Sequence, residues 1–167
     1  MSGKSITPIH LASINPDSRI LEYLFTIAPE YSLADYKMRK PIHYAAACEG
    51  PAPLKLLLER NAEYREGDRQ KLTPLMVACK YGRPENVKLL LAKIQSETES
   101  NKKDKEEEGE GEEEEEAPSR KKKKGNHLLS QKNKEGNHAI HLAAQYGHLE
   151  CIQLLNKAGV ELDVAGA

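Results

Sequence analysis

Apolar side chains recur along the chain at i, i+3 and often i+4, a pattern that predicts short amphipathic helices. Four stripes show it: Leu21-Leu24-Phe25, Leu54-Leu57-Leu58, Val87-Leu90-Leu91 and Ile152-Leu155. Before the first three stripes stands a proline, Pro8, Pro41 or Pro74, followed within a few residues by alanines. Proline suits the first turn of a helix, where its missing N–H costs nothing. The pattern therefore predicts pairs of helices, with a small-residue helix ahead of each apolar stripe.

These pairs form a sequence repeat. Four segments align, Thr7-Pro8-Ile9-His10-Leu11-Ala12, Lys40-Pro41-Ile42-His43-Tyr44-Ala45, Thr73-Pro74-Leu75-Met76-Val77-Ala78 and His138-Ala139-Ile140-His141-Leu142-Ala143, and their starts lie 33, 33 and 65 residues apart. The last spacing is one period plus 32 residues. Similarity at a fixed period of this length indicates one supersecondary unit that stacks along an array.

The 33-residue period, the Thr-Pro-Leu-His-like starts, the mid-repeat Gly82 and Gly147 and the leucines of the second helix resemble the ankyrin repeat family. The resemblance covers about 135 residues and implies an all-α solenoid of helix-turn-helix repeats with β-hairpin or loop fingers. It also implies that His10, His43 and His141 are structural and bridge backbone groups of adjacent fingers. Some residues depart from the pattern: Lys40 and His138 replace the threonine, Ala139 the proline and Met76 the histidine.

The extra residues before the fourth repeat are charged. Residues 95–126 contain 12 acidic and 8 basic residues, and Ala117 is their one apolar side chain. Such a segment cannot bury enough apolar surface to offset its ordering entropy, which excludes a degenerate repeat. We expect three units: repeats 1 to 3 in residues 1–94, a disordered acidic and basic insert in residues 95–129, and repeat 4 in residues 130–167.

The net charge of -1 hides an uneven distribution, because the insert is acidic and the repeats are basic. The insert therefore has three interpretations: an autoinhibitory segment that competes with acidic ligands for basic fingers, a recruiting tail for basic proteins, or a neutral spacer. Within it, Arg120, Lys121, Lys122, Lys123 and Lys124 resemble a nuclear import signal.

Catalytic motifs are missing from the sequence. Gly3-Lys4-Ser5 lacks the upstream glycine of a phosphate-binding loop, and the sequence contains neither a His-Glu-x-x-His pair nor a Gly-x-Ser-x-Gly elbow. We expect no enzyme activity, no catalytic residue, no cofactor and no metal site. Cys48, Cys79 and Cys151 are odd in number and widely spaced, which favours reduced structural thiols. No apolar run is long enough to span a membrane. Cytoplasm is the expected location, with the nucleus as the alternative.

Ankyrin repeats usually bind partners through the concave face and the finger loops, so the resemblance implies a non-catalytic interaction module or scaffold, as part of a longer repeat protein. Matching positions give the expected partner-binding residues: Tyr36, Lys37, Arg39, Arg69, Gln70, Leu72, Lys80, Tyr81, Lys134, Gln145 and Tyr146. The expected partner is a protein rather than nucleic acid or a membrane, with further repeats or a capping partner at the solenoid ends. The alternative is a nuclear adaptor whose basic tract and basic fingers engage nucleic acid or import factors.

Overall fold

Four helical hairpins make up the computed structural model, which describes residues 5–28, 30, 32–106 and 127–160. The helices of those ranges are α1 Pro8–Ser13, α2 Arg19–Ile27, α3 Pro41–Ala47, α4 Ala52–Glu59, α5 Pro74–Lys80, α6 Pro84–Glu106, α7 Ala139–Gln145 and α8 Leu149–Lys157. Each repeat consists of one consecutive pair, α1 with α2 through α7 with α8. The described part contains no β-strand. The predicted all-α repeat solenoid is therefore confirmed.

The first helices begin and end as the repeat pattern indicates. Proline occupies the first turn of α1, α3 and α5, and the Oγ1 of Thr73 accepts a hydrogen bond from the N–H of Met76 at 3.3 Å. Just beyond α5 and α7, Gly82 and Gly147 adopt left-handed backbone at φ 64° and 76°. Glycine adopts this conformation without the steric cost that a Cβ brings, which ends each helix and turns the chain into the second one.

Small residues let the first helices stack closely. Ala45, Ala46, Ala78 and Ala143 are fully buried, and α1, α3, α5 and α7 contact one another in that order. The second helices bury their predicted stripes beside them, including Leu21, Leu54, Leu57, Val87, Leu90 and Leu155. Because α7 packs directly against α5, repeats 3 and 4 are neighbours in space despite the longer spacing in sequence.

Polar side chains of the second helices and their turns tie repeat 3 to repeat 2 and repeat 4 to repeat 3. The buried Asn86 amide donates to the carbonyl oxygens of Ala45, Ala46 and Cys48 at 3.0 to 3.1 Å. Arg83 donates from Nε to the carbonyl of Ala47, and the equivalent His148 in repeat 4 bonds through Nε2 to the carbonyl of Lys80. These bonds satisfy carbonyls at helix C-termini that lack an intrahelical partner.

The first part of the segment predicted as an insert is helical. Helix α6 continues to Glu106, twelve residues past Ile94, instead of ending where the apolar stripe does. Glu97 gives a physical reason, because its carboxylate accepts a hydrogen bond from the buried Tyr64 hydroxyl at 2.7 Å and pairs with Arg65 and Lys93. Residues 95–106 thus belong to α6, and disorder of the insert stays a prediction.

The far end of the predicted insert also differs, since Leu129 is buried against the core. Residues 107–126 lie outside the described residues, and with them the acidic run from residue 107 onward and the Arg120–Lys124 tract.

Candidate protein-binding surface

Three finger turns project between the repeats, and each is built around one short polar side chain. The first runs from Asp35 to Arg39, the second from Asp68 to Leu72 and the third from Asn133 to Asn137. In each, the first residue's Oδ1 accepts the backbone N–H groups two and four positions later, at 2.8 to 3.0 Å. The fourth residue has positive φ, which completes a tight turn. Of the two forms expected for the fingers, β-hairpin and loop, these three fingers have the loop form.

Neighbouring fingers are joined by single backbone hydrogen bonds. The N–H of Arg69 donates to the carbonyl of Lys37 at 2.8 Å, and the N–H of Lys134 donates to the carbonyl of Gln70 at 3.0 Å. These bonds place successive fingers side by side, so side chains at equivalent positions form a row. The exposed side chains of the fingers therefore share one edge of the array.

The repeated histidines stabilise this arrangement. His10 accepts the N–H of Thr7 at Nδ1 and bonds the carbonyl of Arg39 from Nε2, while His43 does the same with Lys40 and Glu66. Burial lowers the pKa of both histidines, which favours the neutral ring that such an accept-and-donate pattern requires. The structural role implied by the resemblance is therefore present in repeats 1 and 2. Across the described ranges, no three metal-ligating side chains come together.

Arg39, predicted as a partner-binding residue, is held inside the first finger. Its guanidinium donates to Asp35 Oδ2 and to the hydroxyl of Tyr44, and that hydroxyl donates to the same carboxylate at 2.8 Å. Burial alone would raise the pKa of Asp35, but these donors and the finger's N–H groups lower it to about 2. Burial and the Asp35 hydrogen bond raise the pKa of Tyr44 to about 12. The charge of Arg39 is thus largely satisfied within the fold.

Five of the predicted residues meet at one place, a groove between repeats 3 and 4. The groove has a volume of about 120 Å³, and it is lined by Gln70, Leu72, Lys80, Asn133, Glu135, Leu142, Gln145 and Tyr146. Finger positions supply one wall, and the C-terminal ends of α5 and α7 supply the other. We call this site the repeat 3–4 groove.

An aromatic pair surrounds the cation of the groove. The Nζ of Lys80 lies 5.9 Å from the ring centroid of Tyr81 and 5.6 Å from that of Tyr146. The two rings are about half exposed, at 51% and 48%. Both tyrosines cap a first helix just before a left-handed glycine, which projects them away from the core. Tyr81 therefore joins the repeat 3–4 groove although it does not line the cavity itself.

The other predicted residues lie on the fingers. Lys37, Arg69 and Lys134 are exposed, and no ion pair in the described ranges involves them. Tyr36 is 53% exposed, with Lys37 Nζ 5.5 Å from its ring centroid. The sequence did not indicate the groove's Leu142 and Asn133 as site residues, because Leu142 belongs to the repeated helix start and Asn133 to the repeated finger turn, which the repeat pattern explains by structure alone.

A larger cleft of about 410 Å³ lies elsewhere, lined by Glu30, Ser32, Lys40, Ile42, Asn61, Ala62 and Glu63. Its cation, Lys40, is neutralised by Glu66 at 2.5 Å. Its described lining residues include none of the amphipathic aromatic side chains that anchor protein interfaces. The smaller groove is therefore the better candidate for partner contact.

Stacked helical hairpins, hydrogen-bonded fingers and an open groove across the first helices define a repeat module for protein interaction. Models of the ankyrin repeat match residues 9–104 as three copies and residues 135–166 as a further repeat. The chain therefore belongs to the ankyrin repeat family. In the part the structure describes, no helix is both long and apolar enough to cross a membrane.

Two curated relatives share this part of the chain. It is 33% identical over 92 residues to a poly [ADP-ribose] polymerase tankyrase of Caenorhabditis elegans, a match that covers 55% of this chain and 4% of that protein. It is also 33% identical over 87 residues to inversin of Canis lupus familiaris, which covers 51% of this chain and 8% of inversin. The chain thus spans only a small fraction of the length of the curated relatives it matches.

Proposed function

We propose that the chain is a non-catalytic scaffold that binds a partner protein through the repeat 3–4 groove and the neighbouring fingers. One observation carries the proposal: Lys80, Tyr81 and Tyr146 form an exposed cation and aromatic cluster beside an open groove. Tyrosine combines a large contact area with a polar tip, and it is enriched in the residues that dominate binding energy.

Differential affinity capture tests the proposal. The chain, a Tyr81→Ala/Tyr146→Ala variant and a Tyr23→Ala control are immobilised, and the retained proteins are quantified by mass spectrometry. Tyr23 is 65% exposed but belongs to the outer side of repeat 1, away from the groove. At least one protein should be retained by the chain and the control but lost with the double variant. An identical set of retained proteins for all three would contradict the assignment of the groove.

A second surface follows from the outer side of repeat 1. Several large apolar side chains there are about half exposed or more: Leu11 58%, Ile20 49%, Tyr23 65% and Ile27 62%. At the matching positions of repeat 2, Tyr44, Pro53 and Leu56 are half-buried or buried, and Tyr44 and Arg60 contact the rings of His10 and Phe25 in repeat 1. The exposed face of repeat 1 therefore corresponds to the face that repeat 2 turns toward repeat 1. Another helical repeat is the occupant that fits it.

Stability measurements test this second surface. A consensus ankyrin capping repeat fused ahead of Ser5 should raise Tm, because it would bury this apolar face. Each kcal/mol corresponds to about 2–4 °C in a domain of roughly 150 residues or more. The same fusion made on an Ile20→Lys/Tyr23→Lys chain is the control, and it should give a much smaller rise. Equal rises in both chains would show that the apolar face is not a stacking surface.

A further inference from the structure

We infer that the repeat 3–4 groove recognises an acidic side chain of an extended partner peptide, with the carboxylate against Lys80. This inference rests on the proposed function and names the chemistry of its partner. It starts from Lys80, which forms no ion pair with any side chain of the described ranges. The ammonium lies 5.9 and 5.6 Å from the centroids of two tyrosine rings. A cation at a groove that has no ion-pair partner among the described residues favours an anionic ligand.

The size of the groove limits what can enter. A volume of about 120 Å³ corresponds to roughly four water molecules at about 30 Å³ each, which fits one aspartate or glutamate side chain. The amide groups of Gln70 and Gln145 can donate to a carboxylate oxygen that Lys80 leaves unsatisfied. Leu72 and Leu142 provide apolar surface for the methylene groups of the entering side chain. The lining thus matches both ends of an acidic residue.

The surrounding charge favours the same ligand. Fingers 2 and 3 carry Arg69, Lys71 and Lys134, which are all exposed and take part in none of the described ion pairs. Lys134 also bonds through its backbone to Gln70, so its side chain starts at the edge of the groove. Of the two carboxylates in these fingers, Asp68 is turned inward onto backbone N–H groups, which leaves Glu135 at the groove. A partner with several acidic residues would find cations on both sides of the pocket.

Nucleic acid fits the site less well than an acidic peptide. Proteins that bind single strands stack bases on aromatic faces, but the faces of Tyr81 and Tyr146 are directed at Lys80. Glu135 adds a negative charge to the groove wall, which opposes a phosphate backbone. A single carboxylate can avoid Glu135 by approaching from the Lys80 side. We therefore assign the site to an acidic peptide.

A displayed library of random 12-residue peptides provides the test. Selections use the wild-type chain, Lys80→Met, Glu135→Gln and Tyr81→Ala/Tyr146→Ala, each checked for folding by circular dichroism. Peptides selected by the wild-type chain should be enriched in Asp or Glu at one fixed position. A fluorescein-labelled peptide from that selection is then measured by fluorescence anisotropy at two salt concentrations. Lys80→Met should weaken its binding about tenfold, and Glu135→Gln should strengthen it about twofold to fivefold.

A matched peptide with the acid changed to its amide completes the cycle. The wild-type chain should bind the amide peptide about tenfold more weakly, while Lys80→Met should not distinguish the two peptides. Selected peptides that need Tyr81 and Tyr146 but show no acidic preference would overturn this inference and leave the proposed function in place.

Two further outcomes overturn more. If no selected peptide depends on the groove residues, both the inference and the proposed function fail. A fluorescein-labelled single-stranded DNA 20-mer is measured in the same buffer. If the DNA binds more tightly than the selected peptides and Lys80→Met abolishes its binding, the assignment of an acidic peptide as the partner is wrong.

Discussion

Two junctions can be compared, the one between repeats 1 and 2 and the one between repeats 3 and 4. Their finger turns share the same backbone hydrogen bonds, but their side chains have different partners. At the first junction, Asp35, Arg39 and Tyr44 form a closed network in which each polar group has a partner. At the last junction, Lys80 has aromatic neighbours but no carboxylate partner among the described residues. At the first junction the polar side chains bond to one another and stabilise the fold. At the last junction the ammonium of Lys80 is available to a ligand.

The equivalent positions of repeat 2 lack the cation and the aromatic side chain that repeat 3 supplies to the groove. Ala47 and Cys48 occupy in repeat 2 the places that Lys80 and Tyr81 occupy in repeat 3. Cys48 is buried and its backbone is extended, with ψ 145°, whereas Tyr81 continues near helical geometry into Gly82. Repeat 2 has Glu49 instead of that glycine, so its chain leaves the helix differently. Gly82 thus helps to determine whether the capping residue faces the core or the groove.

Removal of the Asp35 carboxylate should give the largest loss of stability. Asp35→Ala leaves Arg39 and Tyr44 without their shared acceptor and two finger N–H groups unpaired, which we expect to cost about 3 kcal/mol. Asp68→Ala is the matched control, because Asp68 makes the same turn but binds no side chain, and it should cost about 1 kcal/mol. Urea denaturation followed by circular dichroism measures both. Equal losses would show that the network at the first junction adds nothing.

The same network should make stability depend on pH. The pKa of Asp35 is about 2 when folded against 3.8 as its ordinary value, so the folded state favours the ionised form. Its contribution of about 2 kcal/mol is fully present above pH 4 and disappears as the pH falls toward 2. The difference in unfolding free energy between the wild-type chain and Asp35→Asn should shrink over that interval. A difference that stays constant from pH 6 to pH 2 would contradict the assigned carboxylate.

Substitution of the turn glycines should test the geometry of the last junction. In Gly82→Ala the backbone would keep φ near 64°, and the new Cβ would overlap the ring of His148, which bonds the carbonyl of Lys80. We expect a loss of about 2 kcal/mol. Gly147→Ala has similar strain at φ 76° but no atom within 4 Å of the new Cβ, so it should lose about 1 kcal/mol. Thermal unfolding of both variants measures the difference.

Most of the helical architecture follows from the sequence because period, proline position and apolar stripe all specify the same elements. The groove was predictable as a set of positions, since Gln70, Leu72, Lys80, Gln145 and Tyr146 occur at repeat positions that face a partner in this family. Their state of pairing was not predictable. Arg39 and Lys80 are both cations on the same side of the repeats, and only the three-dimensional arrangement shows that Asp35 and Tyr44 satisfy the first.

The extent of α6 shows a second limit of sequence reasoning. Composition identifies residues that cannot form a core, but it does not show that one of them is bonded to the neighbouring repeat. Glu97 is such a residue, because it bonds Tyr64 and Arg65, which lie more than 30 positions earlier. A contact of this range leaves no periodic signal in the helix that carries it.

The groove side chains should give the smallest effect on stability, which completes the contrast between the two junctions. Lys80→Gln and Tyr146→Ser remove exposed or half-exposed groups that contact no core residue through a hydrogen bond in the described ranges. We expect each to change the unfolding free energy by less than about 0.5 kcal/mol. Tyr44→Phe, which deletes one hydroxyl of the first junction, should instead cost about 1 kcal/mol or more. If Tyr146→Ser were as destabilising as Tyr44→Phe, Tyr146 would stabilise the fold, and the proposal that it is available to a partner would be wrong.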